Sequence, residues 1–275
     1  SALPAGQLVQ VTASAVVGGA RQTFDVPGLV LEGSVPSVSR AGNILVSSTL
    51  DGRDPATGQL VPGSADQIVR AYQNAKLAIE AAGGTTDDIV HFWVFLKVEL
   101  DIDTLVEKWL EVFPNDGDRP ARKTFLDADM PGEDLVHIQF TAVLGGERTN
   151  FEVPGVHHRD PIPMGARVGN IFMTSGVFGI APDMSATTQM PPPPGLEPQL
   201  HHAFTNLNTM LAEQGGSLAN VAHIGVLAKH EADYPAILDA IGQRFAPGSA
   251  PAVHFWGMGM PSPTFLVQLY ATAVW

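Results

Sequence analysis

A stretch near the start of this chain returns in its middle. Gly18-Gly19-Ala20-Arg21-Gln22-Thr23-Phe24-Asp25-Val26-Pro27-Gly28 is matched by Gly145-Gly146-Glu147-Arg148-Thr149-Asn150-Phe151-Glu152-Val153-Pro154-Gly155, an offset of 127 (145 − 18). The same offset relates Arg40 to Arg167, Gly42-Asn43 to Gly169-Asn170 and Ser48 to Ser175. It becomes 132 past an insertion around Pro191-Pro192-Pro193-Pro194, pairing Asn74 with Asn206, Gly83-Gly84 with Gly215-Gly216, His91 with His223, Lys97 with Lys229 and Phe113 with Phe245. A chain in register with itself over this length folds one unit twice, and 275 residues suit two domains.

Each copy reads as β-β-α-β-α-β. The turn pair Gly42-Asn43 precedes a strand from Ile44 to Ser48. Ser64 with Gln67 three residues on has the spacing of a capping box. The helix behind it places Ile68, Tyr72, Ala75, Ile79 and Ala82 on one face, and Gly83 suits a left-handed stop. Ile89 to Val98 is rich in Val, Phe and Trp and reads as a strand. Leu105, Trp109 and Val112 mark a second helix, and Leu135 to Leu144 a last strand. In copy two the helices fall at about 199–214 and 232–245. Helices on one side of a sheet make a two-layer α/β sandwich.

Composition removes several function classes. The net charge is −13 with only 15 Lys and Arg, so no basic footprint for nucleic acid exists. There is no cysteine, hence no disulfide and no thiolate chemistry. No apolar run is long enough to cross a membrane, and Ser1-Ala2-Leu3-Pro4 lacks the character of a signal peptide, so a cytoplasmic enzyme is the default. His157-His158 and His201-His202 have no carboxylate at metal-ligand spacing, so neither metal nor other cofactor is expected.

Several motifs in order carry a resemblance. They are Arg-Ala-Gly-Asn, three apolar residues and Ser-Ser from Arg40; Ala82-Gly83-Gly84 after the first helix; Pro120-Ala121-Arg122; then Met130-Pro131 and the last strand. Together, twice along the chain, they resemble the Rid family (YjgF/RidA-type imine/enamine deaminases). The resemblance implies tandem domains of the chorismate-mutase-like α/β fold, arranged as trimers with sheets forming a central barrel and ligand clefts between neighbours.

The last strand has a third copy. Leu8-Val9-Gln10-Val11-Thr12-Ala13-Ser14-Ala15-Val16-Val17 matches Leu135 to Leu144 and Leu266 to Val274-Trp275, and Pro4 lies 127 residues before Pro131. The organisation expected is therefore 1–17, the last strand completing another Rid-like domain; 18–144, domain one; and 145–275, domain two. A lone strand leaves its backbone groups unpaired. Its partner is either a second chain supplying the rest of the first domain or a homo-oligomer. Ser1 would then stand just after a scissile bond of a three-repeat precursor, where its hydroxyl can attack the preceding carbonyl and its released amine can serve as a base. Methionine removal or a chain that starts here are the alternatives.

In the family the Arg of Pro-Ala-Arg binds the substrate carboxylate, a task suited to its planar fork; the resemblance puts this on Arg122. Where the family carries a Glu that handles the hydrolytic water, this chain has His137, and imidazole also serves as a base near neutral pH. Copy two departs further, with Val253 in place of the Arg and Gln268 in place of the acid. His254 beside Val253 lines an altered pocket or packs in the core. Ser48 and Ser175 keep the family's cleft serine, and a buried hydroxyl bonded to backbone is the other reading. A Tyr of the family's N-terminal motif is Val35 in copy one and Ile162 in copy two. Lys97 and Lys229 point into the barrel or end their strands in solvent.

The reading is a hydrolase or deaminase acting on a small carboxylate-bearing imine, enamine or other C–N bonded metabolite. Two alternatives stay open: a non-catalytic metabolite-binding or assembly module, and a ring-opening amidohydrolase of the cyanuric-acid hydrolase/barbiturase type. RNA cleavage is opposed by the acidic charge. The expected partners are a small-molecule substrate and further Rid-like polypeptide, with no nucleic acid and no membrane.

Overall fold

The structure is a computed structural model that describes residues 11–29, 35–97, 102–127, 129–182, 191–256 and 264–275. Copy one runs β1 (Arg21–Phe24), β2 (Val38–Ala41), β3 (Ile44–Ser47), β4 (Leu50–Asp51), β5 (Arg53–Asp54), β6 (Gln59–Leu60), α1 (Ser64–Ala81), β7 (Ile89–Leu96), α2 (Ile102–Val112), β8 (Ala121–Leu126) and β9 (Val136–Val143). Copy two runs β10 (Arg148–Phe151), β11 (Gly165–Val168), β12 (Ile171–Thr174), β13 (Val177–Phe178), α3 (Leu196–Glu213), β14 (Val221–Ala228), α4 (Tyr234–Gly242), β15 (Ala252–Trp256) and β16 (Val267–Val274). The two sheets have one order, β1-β2-β3-β9-β7-β8 and β10-β11-β12-β16-β14-β15, so the repeat in sequence is a repeat in fold. Each copy is the expected two-layer α/β unit, with strands added to the expected frame; the Pro-Ala-Arg segment is itself a strand, β8.

Local chemistry explains the elements. Gly42 and Gly169 take positive φ (62° and 58°) in the two-residue turns β2–β3 and β11–β12, a turn whose twist matches the strands it joins. Helix α1 buries Ile68, Tyr72, Ala75 and Ile79, and it stops at Gly83 (φ 80°), where the Gly84 N–H returns to the Ile79 carbonyl at 3.0 Å. Its start differs from the capping-box reading: Gly63 holds the cap position and Ser64 is already helical. Gln67 instead spans to the loop before β9, its amide donating to the Glu133 carbonyl (3.2 Å) and accepting from the Leu135 N–H (2.9 Å). Gln199 repeats this in copy two, on Thr264 and Leu266.

The helices cover one face of each sheet. In copy one Tyr72, Phe92, Trp109 and Phe113 form a buried aromatic knot, Tyr72 and Phe92 meeting edge-on at 5.5 Å. The helix-free faces of the sheets meet one another. Val90, Ala121 and Val143 pack there on Ala166, Val168, Ile171 and Met173, and Phe125 packs on Leu227 and Tyr270. The parallel connection through α2 leaves β8 as an edge strand of sheet one, and β8 contacts β12 of copy two.

Residues 1–10 of the proposed third strand, Ser1 among them, lie outside the described residues. Among the described residues, 11–16 join no ladder, and Val11 is 82% exposed.

Candidate active site

Arg122 sits on edge strand β8, and its backbone N–H donates to Ser175 Oγ at 3.0 Å. The hydroxyl that receives this strand thus comes from the other copy. Arg122 lies opposite Phe92 in the β7–β8 ladder and so points to the helix side of the sheet. There its guanidinium carbon is 4.7 Å from the Trp109 ring centre, and the side chain is buried. Nη2 is paired with the carboxylate of Asp160 from copy two. Tyr72 stands beside the guanidinium; burial pushes its hydroxyl up to about 12 against the pull of Arg122. Apart from the contact between Tyr72 and Arg122, Nε and Nη1 of Arg122 and the Tyr72 hydroxyl are buried with no partner among the described residues. Buried donors are rarely left so, and three of them together suit a ligand that brings oxygen acceptors.

Copy two closes this place with the segment 157–162. The Pro161 carbonyl accepts from Trp109 Nε1 (3.4 Å) and from Arg119 (3.5 Å). Arg159 pairs with Asp103 on α2, and Ile162 packs on the core of copy one. Ile162, the counterpart of the family's N-terminal tyrosine, is therefore a packing residue, and Asp160 two positions earlier is the polar group that reaches Arg122.

The next residue, Lys123, points to the opposite face, where its amine donates to the Gln268 side-chain carbonyl across the copies. Burial brings Lys123 down to about 8, with Asp160 acting the other way. Close by, burial followed by Lys123 and Arg122 lowers His158 to about 3, and burial lowers His91 to about 3. Both imidazoles are neutral at pH 7. Gly176 makes room for Gln268: a Cβ there would lie 2.0 Å from the Gln268 amide nitrogen.

Arg122 and His137 do not come together within the chain. His137 lies opposite Phe95 on the helix-free face, whereas Arg122 lies on the helix side. The imidazole Nε2 is 3.0 Å from Asp134 Oδ2. Asp51, Asp134 and His137 have atoms close enough to share a metal ion, a grouping absent from the sequence reading. Arg53 already lies on both carboxylates, 2.9 Å from Asp51 and 3.3 Å from Asp134, so their charge is met by a guanidinium. Ser48 bonds the Pro36 carbonyl at 2.6 Å within its own copy, unlike Ser175. Val253 packs on the core of copy two. His254 lies in a chain, 3.0 Å from the Tyr270 hydroxyl and 2.6 Å from His223. Lys97 donates to the Gly132 carbonyl at 3.0 Å and, like Lys229, is a strand-end residue at the surface.

Two units of one α/β fold, with an arginine of one meeting a carboxylate and a serine of the other, define a tandem protein with a buried polar cluster between its repeats. The chain belongs to the Endoribonuclease L-PSP family, the Rid proteins, whose sequence profile matches residues 33–144 and 163–275. It is similar to RutC family protein UK114 of Drosophila melanogaster, at 35% identity over 107 residues, 38% of this chain and 75% of the relative. It is also similar to the 2-iminobutanoate/2-iminopropanoate deaminase of Rattus norvegicus, at 34% over 95 residues, 34% of this chain and 68% of the relative. Among solved structures a chorismatase shares the fold, with a TM-score of 0.61 and 16% identity over 86% of this chain and 77% of that one. Among the described residues no helix is long and apolar enough to cross a membrane.

Proposed function

We propose that the chain is an imine deaminase working at the Arg122 seam between its repeats. Water adds to the C=N carbon of a small 2-imino acid, ammonia leaves, and a 2-oxo acid is released. Arg122 holds the carboxylate, with the Tyr72 hydroxyl as an added donor. The observation that carries this reading is the buried guanidinium with two nitrogens unpartnered among the described residues, in a Pro-Ala-Arg motif. The relatives named as 2-iminobutanoate/2-iminopropanoate deaminases support the reaction class. On the opposite face the last-strand position is Gln268, which moves no proton, so proton transfer beside Arg122 falls to the neutral imidazole of His158. The test generates 2-iminobutanoate in situ and follows its decay to 2-oxobutanoate and ammonia. The protein should accelerate decay, and Arg122→Ala should abolish the acceleration; an equal rate with and without wild-type protein rejects the assignment.

Gln268 favours one second reading, a module that binds such metabolites without turning them over. It predicts that 2-oxobutanoate binds, with Arg122 required, while the imine decays at its spontaneous rate.

A further inference from the structure

The Arg122 guanidinium is already engaged by a carboxylate of its own chain. Asp160 approaches Nη2, leaving Nε and Nη1 without partners among the described residues. A guanidinium offers a carboxylate two parallel-bond edges, Nε with Nη2 and Nη1 with Nη2. Both need Nη2. Each edge uses one of the two Nη2 hydrogens, so Asp160 takes one edge, and its negative charge beside the other opposes a second carboxylate in this buried place.

We propose that Asp160 is an internal stand-in for the substrate carboxylate, which a 2-oxo or 2-imino acid must displace before Arg122 can hold it. This rests on the reading of Arg122 as the carboxylate anchor. An unpaired guanidinium buried on Trp109 and Tyr72 is costly, and Asp160 relieves that cost. The main chain on either side of it is fastened to copy one, through Arg159 to Asp103 and through the Pro161 carbonyl to Trp109 and Arg119. Release therefore needs only rotation of the Asp160 side chain, which is 16% exposed while that of Arg122 is 0% exposed. The segment stays closed and only the charge changes hands. The affinity observed for an anionic ligand is lowered by the fraction of time Asp160 leaves the guanidinium free.

The test is calorimetric titration of the whole chain with 2-oxobutanoate, in wild type, Asp160→Asn and Arg122→Gln. Removing the competing charge should tighten binding by roughly tenfold or more, and Arg122→Gln should not bind. Asp160→Ser, which also lacks the carboxylate, is run beside it with melting curves, so a misfolded variant is recognised and replaced. If wild type binds through Arg122 but neither Asp160 variant binds more tightly, the stand-in role is overturned and the anchor survives. If neither wild type nor the Asp160 variants bind, the anchor fails and takes this inference with it.

Discussion

Lys123 shows how a neighbour in sequence can belong to different chemistry. Arg122 faces the helices and a carboxylate; Lys123 faces the other copy, where its hydrogen bond is to a neutral amide. Burial lowers Lys123 to about 8, whereas an unfolded chain keeps its lysine protonated to about 10.5. Between these values the unfolded state binds more protons, so stability rises with pH across that window; below it the fold carries a buried ammonium, a cost on the order of 3 kcal/mol. Lys123→Met should therefore compare best with wild type at pH 7 and lose that advantage as pH approaches 10. Urea unfolding at both values measures it, and a difference independent of pH would mean the amine is as well solvated folded as unfolded. The Pro-Ala-Arg motif was legible because it is local. Ser175, Asp160 and Gln268, which complete its surroundings, lie 53, 38 and, from Lys123, 145 residues away. No spacing rule reaches that far.

Among the elements, the first helix followed from periodicity, because one face of it is buried, and the long strand β7 from its Val, Phe and Trp content, because both of its faces are covered. Strand β8 did not, since Arg122 and Lys123 side by side break the alternation that marks a half-buried strand. Both charges are tolerated only because copy two meets each of them. The Ser64–Gln67 spacing misled for a similar reason: Gln67 bonds a loop 66 residues away rather than its own helix. Strand β14 contributes a sharper test. Gly225 leaves the space that the Tyr270 ring fills; a Cβ would lie 1.8 Å from the ring and 2.3 Å from its oxygen. Tyr270 is held between Trp93 and His254 and cannot retreat. Gly225→Ala should cost about 1–3 kcal/mol or more. Gly242→Ala, at the end of α4 with nothing within 4 Å of its Cβ, should be neutral or gain up to about 1 kcal/mol. Thermal melts of the pair decide it; equal melting points would mean the notch is not packed as described.

At the scale of the molecule, the join between the copies should weaken in acid. His91 is fully buried there, brought to about 3 by burial, and meets the Thr174 backbone of copy two. His158 is brought to about 3 on the same seam. Below about 6.5 the unfolded chain takes up protons that the folded chain refuses, so stability falls as pH drops from there toward 3, by as much as roughly 1.4 kcal/mol per pH unit for each histidine. His91→Gln should flatten that slope. Chemical denaturation from pH 7 to pH 4 reads it directly, and a variant with the wild-type slope would clear His91 of the role.

The serine shared by the repeats has a consequence for how such a chain can change over generations. Ser175 receives the edge strand of copy one, while Ser48, its twin, turns inward to Pro36. At this junction one copy supplies the arginine and the other supplies what the arginine meets. Once a gene carries both copies in tandem, each is free to forget the half its sibling keeps. Val253 stands where the second arginine would be, packed on the core of copy two. Fusion lets inheritance be divided between duplicates that, as separate identical subunits, would each have had to retain everything.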